Sequence, residues 1–224
     1  MKKTGASKSW FLGIFGQASI ITTAAIALNL SSPTPVGATE PDVTLRIWVA
    51  NYAQVPKREL SRAERIAGSI FHDARVDMIW FDSPLGGMHR DSKYEVRPGN
   101  IFLTVLRQAA PGTFSPHELG FAIPCAEPKI GCQAYISYPL VRDLARSGDV
   151  SKSEILGAAM AHEMGHILLG AGHSCMGIMK PHWNQHDLSG VAWHQLNFMP
   201  HEAKQLHAVV QLLRNGIAGA NGKR

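Results

Sequence analysis

Residues 151–180 read SKSEILGAAMAHEMGHILLGAGHSCMGIMK, and the rest of the chain is organised around this stretch. Ser151 stands three residues before Glu154, the spacing at which a serine hydroxyl and a glutamate carboxylate cap a helix start reciprocally. Ile155, Leu156, Ala158, Ala159, Met160, Ile167, Leu168 and Leu169 then leave hardly any polar side, which predicts a buried helix. Gly170 is its expected stop, because glycine takes the left-handed conformation past a helix end without strain. Buried helices seldom carry two histidines and a glutamate, since each costs desolvation energy unless it is partnered. His162, Glu163 and His166 therefore call for a reason.

The spacing supplies one. Residues four apart on a helix share a face, so the imidazoles of His162 and His166 converge and suit two positions on one zinc ion. Glu163, beside the first of them, can reach a metal-activated water without ligating the metal, the place of a general base. A catalytic zinc site needs a third protein ligand and one open position. His173 is the leading candidate, because Gly170-Ala171-Gly172 lets the chain turn back toward the metal. Two other donors compete by type and position: Glu202, on a predicted last helix, and Cys175, which would close the site as a fourth ligand. Asp187 has no supporting pattern. Met179 follows in a Gly-Ile-Met run.

On these residues the sequence resembles the metzincin clan of zinc peptidases: a helix with two histidines and a glutamate, a glycine turn, a third histidine, and a methionine turn under the metal. It also resembles a group of uncharacterised exported bacterial proteins with an LLG…HS..GIM pattern. The glycine and the third histidine fall four and seven residues after His166 here, one more than the clan's usual three and six. The resemblance covers residues 151–180. It implies an endopeptidase with Zn2+ held by His162, His166 and His173, Glu163 as catalytic base and Met179 as the floor of the site. The tyrosine that several metzincin families place after the methionine turn is absent, Tyr138 being the last tyrosine. His182, His186 and His194 are the histidines that could donate in its place. A non-catalytic exported zinc-stabilised domain, or a thermolysin-like peptidase with Glu202 as third ligand, are the alternatives.

Upstream, Val43, Leu45, Ile47 and Val49 alternate with Thr44, Arg46 and Trp48, a half-buried strand. Helical spacing of Leu60, Ala63, Ala67, Ile70, Phe71 and Ala74 predicts a helix over 56–75. Further strands are expected at 76–81, 101–106, 118–123 and 133–138, with a Pro/Gly-punctuated loop over 83–99, and a last helix at 200–214. Strand–helix–strand followed by a run of strands implies an α/β (α+β) fold, a mixed sheet of about five strands with helices packed on it. The short strand 118–123 is a candidate edge for pairing with an extended peptide.

The 224 residues carry 22 basic and 17 acidic side chains, 22 − 17 = +5, and are 45% hydrophobic, enough for a sizeable core. Lys2, Lys3 and Lys8 precede an apolar run from Trp10 to Leu30, and Val36-Gly37-Ala38 offers small residues at a cleavage point. This is expected to be a signal peptide over 1–38, cut after Ala38, ahead of a peptidase domain over 39–224 that is secreted or periplasmic. Were it not cut, the apolar run would anchor the chain in a membrane. Without it the balance is 19 − 17 = +2, and no basic stripe with interleaved aromatics points to nucleic acid. The expected partner is a peptide or protein substrate, bound by a monomer. Cys125 and Cys132 are the natural disulfide pair in an oxidising compartment, leaving Cys175 over; three free thiols are the alternative.

Overall fold

A computed structural model describes residues 43–83, 100–108, 118–123, 132–147 and 150–221, with side chains to 214. The expected signal peptide, the loop at 83–99 beyond Ser83, and Cys125 lie outside the described residues. The chain divides into the units Met1–Ala38 and Thr39–Arg224, and the fold below is that of the second.

The alternation at the start forms β1 (Val43–Asn51), with Val43, Leu45, Ile47 and Val49 buried and Thr44 and Arg46 exposed. Burying each of those side chains contributes roughly 1.5–3 kcal/mol. The chain continues through α1 (Lys57–Asp73), β2 (Val76–Asp82), β3 (Asn100–Leu106), β4 (Gly120–Ile123) and β5 (Cys132–Ser137). The sheet order is β2-β1-β3-β5-β4. Its first four members are parallel, and β4 alone runs antiparallel, against β5, with Gly120 opposite Ile136 and Ala122 opposite Ala134. The expected mixed five-stranded sheet is therefore present, and the strand at 120–123 is an edge strand.

Two helices were not foreseen. Residues Tyr138–Ser147 form α2 where the strand was expected to end at 138 and a connection to follow. Pro139 is compatible with a first helical turn, where its missing N–H costs nothing, and Tyr138 and Val141 are its buried residues. After α3 (Lys152–Leu169), a short α4 (Gln185–Ala192) starts on a capping box between Asn184 and Asp187. The last helix, α5 (Pro200–Asn221), runs seven residues beyond its expected end at 214.

Helix α3 lies at the centre. It touches α1, α2, α4, α5, β4 and β5, which explains an apolar surface on nearly every side. Its start is capped as the sequence predicts: the Ser151 hydroxyl accepts from Glu154 N–H, and Glu154 accepts from Ser151 N–H at 2.9 Å. Arg62 of α1 donates to the same carboxylate at 2.9 Å. The helices α1 and α3 approach so closely that a Cβ on Gly157 would lie 2.7 Å from the Ala63 carbonyl oxygen. Among the described residues no helix is long and apolar enough to cross a membrane.

Candidate metal centre

The second half of α3 carries His162, Glu163 and His166. Gly170, with φ +96°, ends the helix, its N–H bonded to the His166 carbonyl. The chain turns through Ala171 and Gly172 and brings His173 back over the helix. One ligand atom from each of His162, His166 and His173 lies within 4.8 Å of the others, and among the described residues this is the group that could hold a metal ion. The residue extra to the metzincin spacing does not keep His173 away.

Hydrogen bonds fix which nitrogens face the metal position. His162 Nδ1 is 2.8 Å from the Ile178 carbonyl oxygen, and His166 Nδ1 is 3.0 Å from that of Gly170. A carbonyl only accepts, so both Nδ1 atoms carry the proton and donate. In the neutral rings both Nε2 atoms are then bare acceptors, and they point at each other across 3.0 Å. Two lone pairs so placed repel unless a cation lies between them. Two nitrogens bound tetrahedrally to one zinc lie about 3.3 Å apart, close to the spacing found. The donor set of three imidazoles, two of them oriented by carbonyl partners, thus fits zinc.

Electrostatics favour the neutral forms of His162 and His173. Burial, and secondarily the neighbouring His166 and His173, hold His162 down to about 4, against the bond to Ile178 that opposes the shift. His173, exposed to solvent, is lowered by partial desolvation and then by His166 and His182, with Glu118 acting the other way. Glu163 is 5% exposed, and burial followed by the charge of Glu118 pushes its carboxyl up to about 8 in the metal-free site. A dication at the histidines acts in the opposite direction, favouring the carboxylate.

Two glycines fit the site tightly. A Cβ on Gly165 would run into Met179 Sδ, so the absence of a side chain lets the methionine sit directly beneath the helix. Met179 is 1% exposed. On the other side, a Cβ on Gly120 would lie 2.7 Å from Glu163 Cγ. Strand β4 therefore passes against the glutamate itself.

The histidines and Glu163 open into a cavity of about 770 Å³, within the range of ligand sites. Its walls come from β4 (Gly120, Phe121), from α2 (Leu140, Leu144) and from the segment Lys180 to Trp183. Of the three histidines considered for charge stabilisation, His182 borders this cavity, and His186 and His194 do not. The sequence offers the strand 118–123 as an edge for an extended peptide but does not place Glu118 and Gly120 beside Glu163. They lie over forty positions from Glu163 in the chain, and only the placement of β4 on the sheet edge joins them to it.

The competing ligands lie elsewhere. Glu202 is buried, and its carboxylate accepts from the Ser174 hydroxyl and, at 2.7 Å, from Met199 N–H. Asp187 is paired with Lys180 at 2.5 Å. Cys175 is a free, exposed thiol outside the cluster. Cys132 is disulfide-bonded, to a partner outside the described residues.

No protein-family model matches the sequence, and no curated protein matches it. Among solved structures the chain is similar to a zinc-dependent peptidase from Methanocorpusculum labreanum, at 15% identity and TM-score 0.49, over 71% of this chain and 99% of that one. It is similar to metalloproteinase-II from Bacteroides fragilis at 14% identity and TM-score 0.49, over 79% and 55% of the two chains. Archaemetzincin from Methanopyrus kandleri follows at 18% identity and TM-score 0.45, over 75% and 96%.

Proposed function

We propose that the chain is an exported zinc-dependent endopeptidase of metzincin type, acting on extended peptide segments. The observation that carries this reading is the pairing of three convergent imidazoles with a buried glutamate in the lining of one cavity. His162, His166 and His173 hold the metal. Zinc held there would supply Lewis acidity toward the scissile carbonyl and would acidify the attacking water. Glu163 accepts the proton of the attacking water and delivers it to the leaving amine nitrogen. The outer edge of β4 offers backbone N–H and C=O groups to a substrate strand beside Glu163. His182 lines the cavity and is the candidate donor toward developing negative charge.

A closed, purely structural zinc site would need a fourth protein ligand and no base. Cys175 lies outside the cluster, and the histidines face open space. Export rests on the N-terminal sequence, with cleavage proposed after Ala38 and the mature domain secreted or periplasmic. The test is hydrolysis of a peptide library by the purified protein and by Glu163→Ala, with zinc content measured on both. The reading expects chelator-sensitive cleavage that falls by at least about a thousandfold in the variant, while zinc stays near one per chain. Unchanged cleavage by Glu163→Ala would contradict it.

A further inference from the structure

His162 and His166 ride on a buried helix, and each ring is oriented by a carbonyl. His173 has neither support. Gly170, Ala171 and Gly172 precede it, and a Cβ added at either glycine would meet nothing within 4 Å. Ala171, Gly172 and His173 are all exposed, and among the described residues the His173 ring makes no hydrogen bond. On its N-terminal side the last anchored residue is Gly170, bonded through its N–H and its carbonyl to His166.

The constraint comes from the other side. Ser174 N–H donates to the Met179 carbonyl at 2.9 Å, and the Ser174 hydroxyl donates to one oxygen of the Glu202 carboxylate. The second oxygen accepts from Met199 N–H at the start of α5. One buried carboxylate thus ties the residue after His173 to a helix terminus. The same segment holds the far end of the turn: Ile178 N–H donates to the Asn197 carbonyl at 2.9 Å, and Ile178 in turn offers its carbonyl to His162 Nδ1. Gly177, at φ +75°, permits this approach, since a Cβ there would stand 2.6 Å from the Asn197 oxygen.

We infer that Glu202 is a positioning residue for the metal centre, acting through Ser174 to hold His173 at the metal. A freely moving third imidazole would bind with the entropy of its loop to overcome, whereas a tethered one is preorganised. The inference rests on the zinc site proposed above, and its test separates the two. Zinc affinity of the purified protein is measured by competition with a chromophoric chelator, for wild type, Ser174→Ala, Glu202→Ala, the double variant and His173→Ala. Ser174→Ala is the decisive variant, because Glu202 keeps its bond to Met199 N–H and α5 keeps its cap. It is expected to weaken zinc binding about tenfold, within the range that outer-sphere partners command. The double variant is expected to be no weaker than Glu202→Ala, since both changes cut one link. Wild-type affinity in Ser174→Ala overturns the inference, and so do losses that multiply in the double variant. If His173→Ala also binds zinc as wild type does, the metal site itself falls; if His173→Ala is weakened and Ser174→Ala is not, only the clamp falls.

Discussion

Gly120→Ala is the smallest change that should injure catalysis and spare the metal. The new Cβ would stand 2.7 Å from Glu163 Cγ and 2.9 Å from Oε1, where ordinary contact begins at 3.4 Å. It would also stand 2.5 Å from the Tyr135 carbonyl oxygen of the paired strand. The backbone contact cannot rotate away, so β4 must lift from β5. Glu163 must retreat by about 0.7 Å (3.4 − 2.7) or leave its rotamer. Overpacking of this kind costs about 1–3 kcal/mol of stability. A catalytic group misplaced by about 1 Å can cost a hundredfold in rate, so a loss of about 10- to 100-fold in kcat/KM is expected. The three atoms nearest the added methyl belong to Tyr135 and Glu163 and none to a metal-binding histidine, so zinc content should remain near one per chain. Steady-state cleavage of a peptide substrate, with metal analysis and a thermal melt on the same sample, decides it. Full activity in Gly120→Ala would refute the contact between β4 and the glutamate. Activity lost in proportion to zinc would refute the claim that the damage is confined to the base.

The metal-free protein should lose stability as pH rises. Glu163 in the folded metal-free state titrates near 8, above its ordinary carboxylate value, so the fold holds a proton that the unfolded chain releases. His162, lowered to about 4, works the other way, but only up to its ordinary value near 6.5. Between about pH 6.5 and 8 the Glu163 contribution falls by about 2 kcal/mol, read as the difference between denaturant melts of the apo protein and of Glu163→Gln. Equal slopes in the two proteins would sink this assignment. Ser151→Ala removes the hydroxyl half of the α3 capping box and should cost about 1 kcal/mol in a denaturant melt. A melt unchanged by Ser151→Ala would mean that the hydroxyl adds nothing to the start of α3.

The parts of the fold legible in the sequence are those set by local patterns. Ser151, Glu154 and Gly170 mark the ends of α3 by cap chemistry that acts within four residues, and the His162–His166 pairing follows from helix geometry alone. The β1 alternation of Val43 to Val49 is equally local. Helix α2 escaped notice because Tyr138 and Pro139 follow a strand without a break, and its two buried side chains are too few to show a period. Helix α4 starts on a box closed by Asp187, whose shorter carboxylate lies outside the Glu/Gln pattern of a capping box. Glu118 and Gly120 reach the site through the antiparallel pairing of β4 with β5, a tertiary event that no local spacing encodes. Glu202 drew attention by type and position as a possible ligand. Its carboxylate accepts from Ser174 and Met199, contacts made by the folding back of α5 onto the turn, and these carry the positioning role inferred above.

Zinc-edge X-ray absorption on the purified protein tests the metal centre most directly. The account predicts one zinc per chain with three imidazole nitrogens at about 2.0–2.1 Å and one light, exchangeable oxygen donor. His162→Ala, His166→Ala and His173→Ala should each remove one imidazole from that shell. A sulfur scatterer at about 2.3 Å, marking Cys175, or an imidazole count that His173→Ala leaves unchanged, would contradict it.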